Sequence, residues 1–226
     1  MNIISYPERF LWSEILKRPT LNHDALRETV AAILSRIQTE GDYAVMYYEE
    51  QFDKVKLSSL QVSEQEFAEA EKQVSIELKA AIMLAFNNIR TFHMAQKFEG
   101  KKIETLPGVT CWQKAVAIEK VGLYVPGGTA PLFSTVLMLA TPAQIAGCKE
   151  IILCTPPNQE GKIHPAILYA ARIAGVSKVF KAGGVQAIGA MAYGTSSIPK
   201  VYKIFGPGNQ YVTAAKQQVS LSLIHI

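Results

Sequence analysis

The spacing of apolar residues divides the chain into a helical first part and a second part in which short strands alternate with helices. Before residue 100, apolar side chains recur at intervals of three and four, which predicts amphipathic helices. One such stripe consists of Leu26, Val30, Ile33, Leu34 and Ile37.

Polar residues indicate where three of these helices begin. Asn22 or Asp24 is placed to cap the first stripe, and Ser63 with Glu66 has the layout of a capping box. Ser75 begins a longer helix, and the residues assigned to its apolar face are Ile76, Ile82, Phe86, Ile89 and His93. A lone histidine on such a face is interpreted as a packed residue rather than a ligand.

The period changes near residue 100. The segments "KKIET" and "VTCWQKAV" flank Pro107-Gly108, which suit the central positions of a type II turn, so a β-hairpin is predicted. This is the best boundary in the sequence. It separates an N-terminal helical region, residues 1–100, from an α/β region, residues 101–220.

Four β-prone runs follow: "VGLYV", "EIILCTP", "KVFKAG" and "VYKIFGP". Helix-like stretches separate them at residues 134–146, 163–174 and 185–193, and another opens after residue 208. Strand-helix repeats of this length predict a parallel sheet with right-handed crossovers. The strands are continuously apolar, which indicates that helices cover both faces.

Glycines recur where these strands give way to helices, in "PGGTAP", "AGGVQ" and "GPGNQ". Glycine lets the backbone approach a ligand closely, and a helix N-terminus offers free N–H donors to an anion. In a parallel sheet these junctions lie at one edge, so we expect a binding rim there. No loop matches the dinucleotide pattern G-x-G-x-x-G, and the residues alone name no chemistry beyond a nucleotide-type or other anionic ligand.

Side chains beside these glycines are candidates for contact with the ligand. Tyr124 is placed to stack on a flat ring or to pack inside, and Gln186 carries an amide that both donates and accepts. Asn209 suits either a helix cap or a ligand contact, and Lys203 either a phosphate partner or a solvated strand end.

Composition narrows the classes of protein. Of 226 residues 49% are hydrophobic and 19% charged, as in a folded domain, and a net charge of +4 is too small to indicate nucleic-acid binding. Three cysteines, without a C-x-x-C pair, favour a reducing cytoplasm over a disulfide framework. The uncharged run 121–148 is long enough to span a membrane, but its prolines and glycines predict strand, turn and buried helix instead.

Longer segments resemble the histidinol dehydrogenase family over about residues 5–220, above all "VGLYVPGGTAPLFSTVLMLATPAQIAGCKEIILCTPP", "GGVQAIGAMAYGT" and "IPKVYKIFGPGNQYVTAAK". The resemblance implies oxidation of L-histidinol to L-histidine through an aldehyde, with two NAD reduced. It also implies a zinc-dependent cytoplasmic homodimer with Rossmann-like domains. For this sequence it implies an incomplete domain of that kind, with a parallel sheet of aldehyde-dehydrogenase-like type. The family's NAD contacts fall on Tyr124, Gln186 and Asn209.

Members of that family are about twice as long, and their zinc ligands, substrate contacts and Glu-His pair lie beyond position 226. The resemblance therefore assigns no catalytic and no metal residue to this sequence, and we expect an N-terminal part that is inactive alone. The four histidines, His23, His93, His164 and His225, have no ligand-spaced partners. The family continues differently after residue 220, so residues 221–226, "LSLIHI", are predicted to be a non-native tail.

Two other hypotheses remain. A relative of the aldehyde dehydrogenases would need a nucleophilic cysteine, for which Cys148 and Cys154 are poorly placed. A non-catalytic module that captures a nucleotide or a partner chain would need no further sequence.

Overall fold

A computed structural model describes residues 4–17, 23–128 and 130–223. In chain order its elements are a 3₁₀ turn Arg9–Leu11, α1 Trp12–Ile15, α2 His23–Glu40, α3 Asp42–Tyr48, a π-turn Glu49–Asp53, α4 Glu64–Gln73, α5 Ile76–Met94, β1 Lys102–Leu106, β2 Val109–Trp112, β3 Lys120–Tyr124, α6 Phe133–Ala146, β4 Glu150–Thr155, α7 Pro165–Ile173, β5 Lys178–Lys181, α8 Gly184–Tyr193, β6 Lys203–Phe205 and α9 Gln210–Leu223.

Four strands form a parallel sheet in the order β5-β4-β3-β6. Leu123 in β3 lies opposite Leu153 in β4 and Phe205 in β6, which aligns the carboxyl ends of the strands at one edge. The central strands β3 and β4 are buried almost throughout, because helices cover both faces. The predicted α/β class is confirmed.

The helices form two layers, one on each face of the sheet. One apolar cluster joins α2 and α3 to α8 and α9, and the other joins α4 and α5 to α6 and α7. Helices from before residue 100 therefore pack against helices from after it on both faces. The division into regions 1–100 and 101–220 stays a prediction.

Strands β1 and β2 form the predicted hairpin, and their residues are exposed. Gly108 has φ of +81°, which favours glycine, and its N–H donates to Glu104 Oε1 at 2.8 Å. The turn is therefore closed both by backbone conformation and by a side chain.

The predicted starts of α4 and α5 are confirmed. Ser63 and Glu66 form a capping box, and the Ser75 hydroxyl accepts from the Leu78 N–H at 3.2 Å. Asn22 lies outside the described residues, and the Asp24 alternative is wrong, because α2 already includes His23 and Asp24 is therefore inside the helix.

The predicted apolar face of α5 is wrong at its first residue. Ile82 is fully buried, whereas Ile76 is 81% exposed. Six residues separate them, and at about 100° per residue this places Ile76 about 120° away around the helix axis.

At the other end of the chain, residues 221–223 belong to α9 without described side chains. Residues 224–226 lie outside the described part, so the predicted tail stays a prediction.

Candidate functional site

A cavity of about 1100 Å³ opens at the carboxyl edge of the sheet. The segments that follow β3, β4 and β5, the start of α9, the π-turn and α4 contribute to its walls. Gly127, Gly128 and Gly184 from the predicted rim lie in the lining. All three candidate side chains, Tyr124, Gln186 and Asn209, line the same cavity.

Tyr124 ends β3 and packs inside the protein, with 3% of its surface exposed. Its hydroxyl oxygen accepts from the Gly184 N–H at 3.1 Å, which ties the end of β3 to the start of α8. Burial raises the pKa of Tyr124 to about 12, so the phenol is neutral at physiological pH. Tyr124 thus packs inside the protein and also lines the cavity, and its contact with a ligand stays a prediction.

Gln186 lies in the first turn of α8 and is 1% exposed. Its Nε2 donates to Glu49 Oε1 at 2.8 Å, whereas its Oε1 has no hydrogen-bond partner. A buried carbonyl oxygen without a partner is costly, and functional sites are one place where such atoms are kept.

Asn209 caps α9. Its Oδ1 accepts from the N–H groups of Tyr211 at 3.0 Å and Val212 at 3.1 Å. Both bonds use the oxygen, so the Nδ2 amino group of this exposed side chain stays available as a donor. Capping and ligand contact are therefore compatible.

The electrostatics of the cavity differ from those of the whole chain. Its lining contains the carboxylates of Asp53, Glu66, Glu69 and Glu160, against one lysine, Lys162. Lys203 is exposed at the start of β6 and does not line the cavity. An anion bound here would therefore depend more on backbone N–H groups than on basic side chains.

Glu49 is a site residue that the sequence reasoning missed. It is fully buried in the π-turn, and its Oε1 accepts from the Gly183 N–H and from Gln186 Nε2, each at 2.8 Å. Burial raises the pKa of Glu49 to about 7, and the nearby charge of Asp53 adds to the effect. Glu49 follows the fully buried Val45 by four residues, and a charged residue at that helical spacing was the available signal.

Two N–H groups at the start of α8 are already occupied: the N-cap residue Gly183 donates to Glu49, and Gly184, the first residue of the helix, donates to Tyr124. The expectation that phosphate meets the helix at this junction stays a prediction. Neither helix has a side-chain cap, because the N-cap residue is Gly183 in α8 and Leu132 in α6. The start of α6, behind Gly127 and Gly128, is therefore an uncapped helix N-terminus at the cavity.

The thiols do not resemble a nucleophile site. Cys154 is fully buried in β4 and Cys148 is half-buried just after α6, and burial raises the pKa of both. Both therefore stay protonated near neutral pH, which removes the support for an aldehyde dehydrogenase mechanism in this chain.

Within residues 4–17, 23–128 and 130–223, no three His, Cys, Asp or Glu side chains are placed to hold a metal ion. No helix in the same ranges is long and apolar enough to cross a membrane.

The sequence model of the family described as "Histidinol dehydrogenase" matches residues 16–226. The chain belongs to the histidinol dehydrogenase family. A histidinol dehydrogenase of Bacteroides fragilis is 72% identical over 221 residues, which are 98% of this chain and 52% of that protein. The histidinol dehydrogenase of Escherichia coli K12 is 52% identical over 211 residues, 93% of this chain and 48% of that protein.

Comparison with solved structures finds a member of the same family. The crystal structure of histidinol dehydrogenase from Elizabethkingia anophelis matches with a TM-score of 0.89 and 50% identity, over 95% of this chain and 50% of that chain. The chain thus spans about half the length of the family members that it matches. The family is one of oxidoreductases.

Proposed function

We propose that this chain is the NAD-binding, N-terminal part of an enzyme that oxidises L-histidinol to L-histidine through histidinal, the last step of histidine biosynthesis. The observation that carries the proposal is the convergence of Tyr124, Gln186 and Asn209 on one cavity in a chain of this family. These residues belong to three different strand-helix junctions, so only the fold brings them together.

The cavity suits a dinucleotide in three respects. Gln186 Oε1 is a buried acceptor without a partner, and Asn209 keeps a donor at the rim. The uncapped start of α6 offers N–H groups to a diphosphate. NAD would supply the acceptor for the hydride that leaves the substrate.

Within this site each side chain has a role that follows from its contacts. Tyr124 holds the Gly184 amide through a neutral phenol, which fixes the wall formed by α8. Gln186 would accept a hydrogen bond from the cofactor, and Asn209 would donate one while it caps α9. Burial of Tyr124 and Gln186 excludes water from this wall.

Zinc is a different case, because the described residues show no group that fits a metal ion. We assign no step of the reaction to zinc in this chain. We propose that zinc, the histidinol contacts and the proton-transferring groups belong to the half of the family's length that this chain does not span. Homodimer formation and a cytoplasmic location are proposed on the same family basis.

Binding of NAD tests the site. Titration calorimetry with the purified chain should show weak NAD binding. Tyr124→Ala, which releases the wall formed by α8, and Asn209→Ala, which removes a donor to the ligand, should each weaken it about tenfold. Lys203→Ala is the matched control, since Lys203 lies outside the cavity lining. Unchanged affinity in both site variants would remove the assignment.

A turnover assay tests the proposal that the catalytic groups lie outside this chain. The chain mixed with histidinol, NAD and zinc should form no NADH, whereas a full-length relative under the same conditions should form it. NADH production by the chain alone would refute the proposal that the catalytic groups lie elsewhere.

A further inference from the structure

Two of the three buried side-chain atoms without a hydrogen-bond partner in the described part of the chain lie at one place. They are Glu49 Oε2 and Gln186 Oε1, and the two residues are joined by the bond from Gln186 Nε2 to Glu49 Oε1. Such clustering of unsatisfied atoms indicates a network built for something other than stability alone.

The bonding of Glu49 determines which end of the Gln186 amide is free. Glu49 Oε1 accepts from two N–H donors, so it requires the NH₂ group of Gln186 and leaves the carbonyl oxygen over. This holds whether Glu49 is ionised or carries a proton on Oε2, because Oε1 stays an acceptor in both forms.

Gly184 makes room for that oxygen. Its φ is +50°, and a Cβ at this position would lie 2.9 Å from Gln186 Oε1. The carboxamide therefore packs against bare backbone at the start of α8, in the wall of the cavity.

We infer that Glu49 is a positioning residue of the cofactor site: it holds the Gly183 and Gln186 amides so that Gln186 presents only a carbonyl oxygen to the ligand. The ligand group that meets Gln186 is then a hydrogen-bond donor, a hydroxyl or a carboxamide NH₂. The cofactor contact rests on the proposed function, whereas the orientation of Gln186 by Glu49 does not.

Groups facing Glu49 from the surrounding elements fit this role. Asp53 comes from its own π-turn, Tyr124 from the end of β3 and Cys154 from β4, and none of them is a cation. The carboxyl is therefore held by the Gly183 and Gln186 amides and by a side-chain hydrogen bond with the Asp53 carboxyl, rather than by an ion pair.

The orientation is tested first without any ligand. In NMR spectra of the wild-type chain, the two Gln186 Nε2 protons should exchange slowly with water and shift as Glu49 titrates. Fast exchange, or no response to that titration, would overturn the inference. The measurement needs no variant, so it does not depend on how a variant folds.

Ligand binding is tested with NAD and two substitutions of similar volume. Glu49→Gln keeps an acceptor for both amides and should change the NAD dissociation constant by about threefold or less. Glu49→Met removes the acceptor and should weaken binding about tenfold or more. Thr141→Val, which deletes a buried hydroxyl of α6 outside the lining, is the control.

The outcomes distinguish the orientation of Gln186 by Glu49 from the proposed binding of NAD. Equal binding by the folded Met and Gln variants refutes positioning by Glu49. In the wild type, NAD should shift the Gln186 carbonyl carbon and leave the Nε2 protons in place, and the reverse pattern also refutes it. Absence of NAD binding in the wild type with slowly exchanging Nε2 protons refutes the proposed function and supports the orientation.

Discussion

Lys181, at the end of β5, forms an ion pair with Glu66, the residue that closes the capping box of α4. Lys181 is 8% exposed, so its ammonium has little access to water and depends on this carboxylate. The pair connects α4 to the carboxyl end of the sheet beside the cavity, where Glu66 is part of the lining.

Glu66→Gln should lower the free energy of unfolding by about 1–3 kcal/mol, because it leaves a nearly buried ammonium without its counter-charge while glutamine still suits the capping box. Urea denaturation measures the change. Glu64→Gln is the control, since Glu64 is on the same helix and its pair with Arg172 is exposed, so a loss below about 0.5 kcal/mol is expected.

The same pair predicts an acid dependence. Although burial opposes the charged form, Lys181 and Ser63 lower the pKa of Glu66 below its ordinary value of 4.5. Its stabilisation is therefore present above pH 4.5 and is lost as pH falls through the lowered pKa. The difference between wild type and Glu66→Gln should vanish in acid, and a constant difference would contradict the pairing.

Glu49 predicts a dependence of stability on pH that is opposite to that of Glu66. Its pKa is about 7 in the folded chain against an ordinary 4.5, so the folded state holds the proton more tightly between these values and stability falls as pH rises. Glu49→Gln removes this dependence. The difference in free energy of unfolding between Glu49→Gln and the wild type should therefore shift in favour of the variant by up to about 3 kcal/mol between pH 5 and pH 8. Thermal unfolding across that range measures it, and parallel curves for the two proteins would contradict a buried, protonatable Glu49.

Two substitutions of Asn209 can separate its role as the cap of α9 from its proposed contact with NAD. Asn209→Ser keeps an oxygen that accepts from the first turn of α9 and should change stability by a few tenths of a kcal/mol, whereas Asn209→Ala should cost about 1 kcal/mol. Both lose the amide donor, so both should weaken NAD binding alike. If the serine variant binds NAD as well as the wild type, Asn209 is a cap only.

Thiol labelling under native conditions should modify Cys111, which is exposed in β2, and leave Cys154 unmodified until the chain is denatured. Burial removes access to the Cys154 thiol and raises its pKa, so both nucleophilicity and contact are lost. Mass spectrometry of labelled peptides identifies the sites. Rapid native labelling of Cys154 would restore the aldehyde dehydrogenase hypothesis.

The sequence predicted the sheet and the rim because both depend on local patterns. Apolar runs such as that ending at Tyr124 and glycines such as Gly127 are readable over a few residues, and parallel strands bring their carboxyl ends together without further information. The hairpin at Gly108 was readable for the same reason.

The parts that were not predicted depend on contacts between distant residues. Glu49 lies more than 130 positions before Gly183, and nothing near it in the sequence shows that its carboxyl would satisfy the start of α8. The packing of α2 against α8 likewise joins apolar faces that sequence periodicity identifies but cannot pair.

The π-turn at Glu49–Asp53 contains one more residue than an α-helical turn of the same span, and the Lys54 N–H closes it on the Glu49 carbonyl. Removing a single residue here would restore ordinary winding and rotate the following chain by about 100° relative to α3. Length is therefore constrained in this segment independently of side-chain identity. Insertions and deletions, which surface loops commonly accept, would here break the link between the helical layer and the cavity wall.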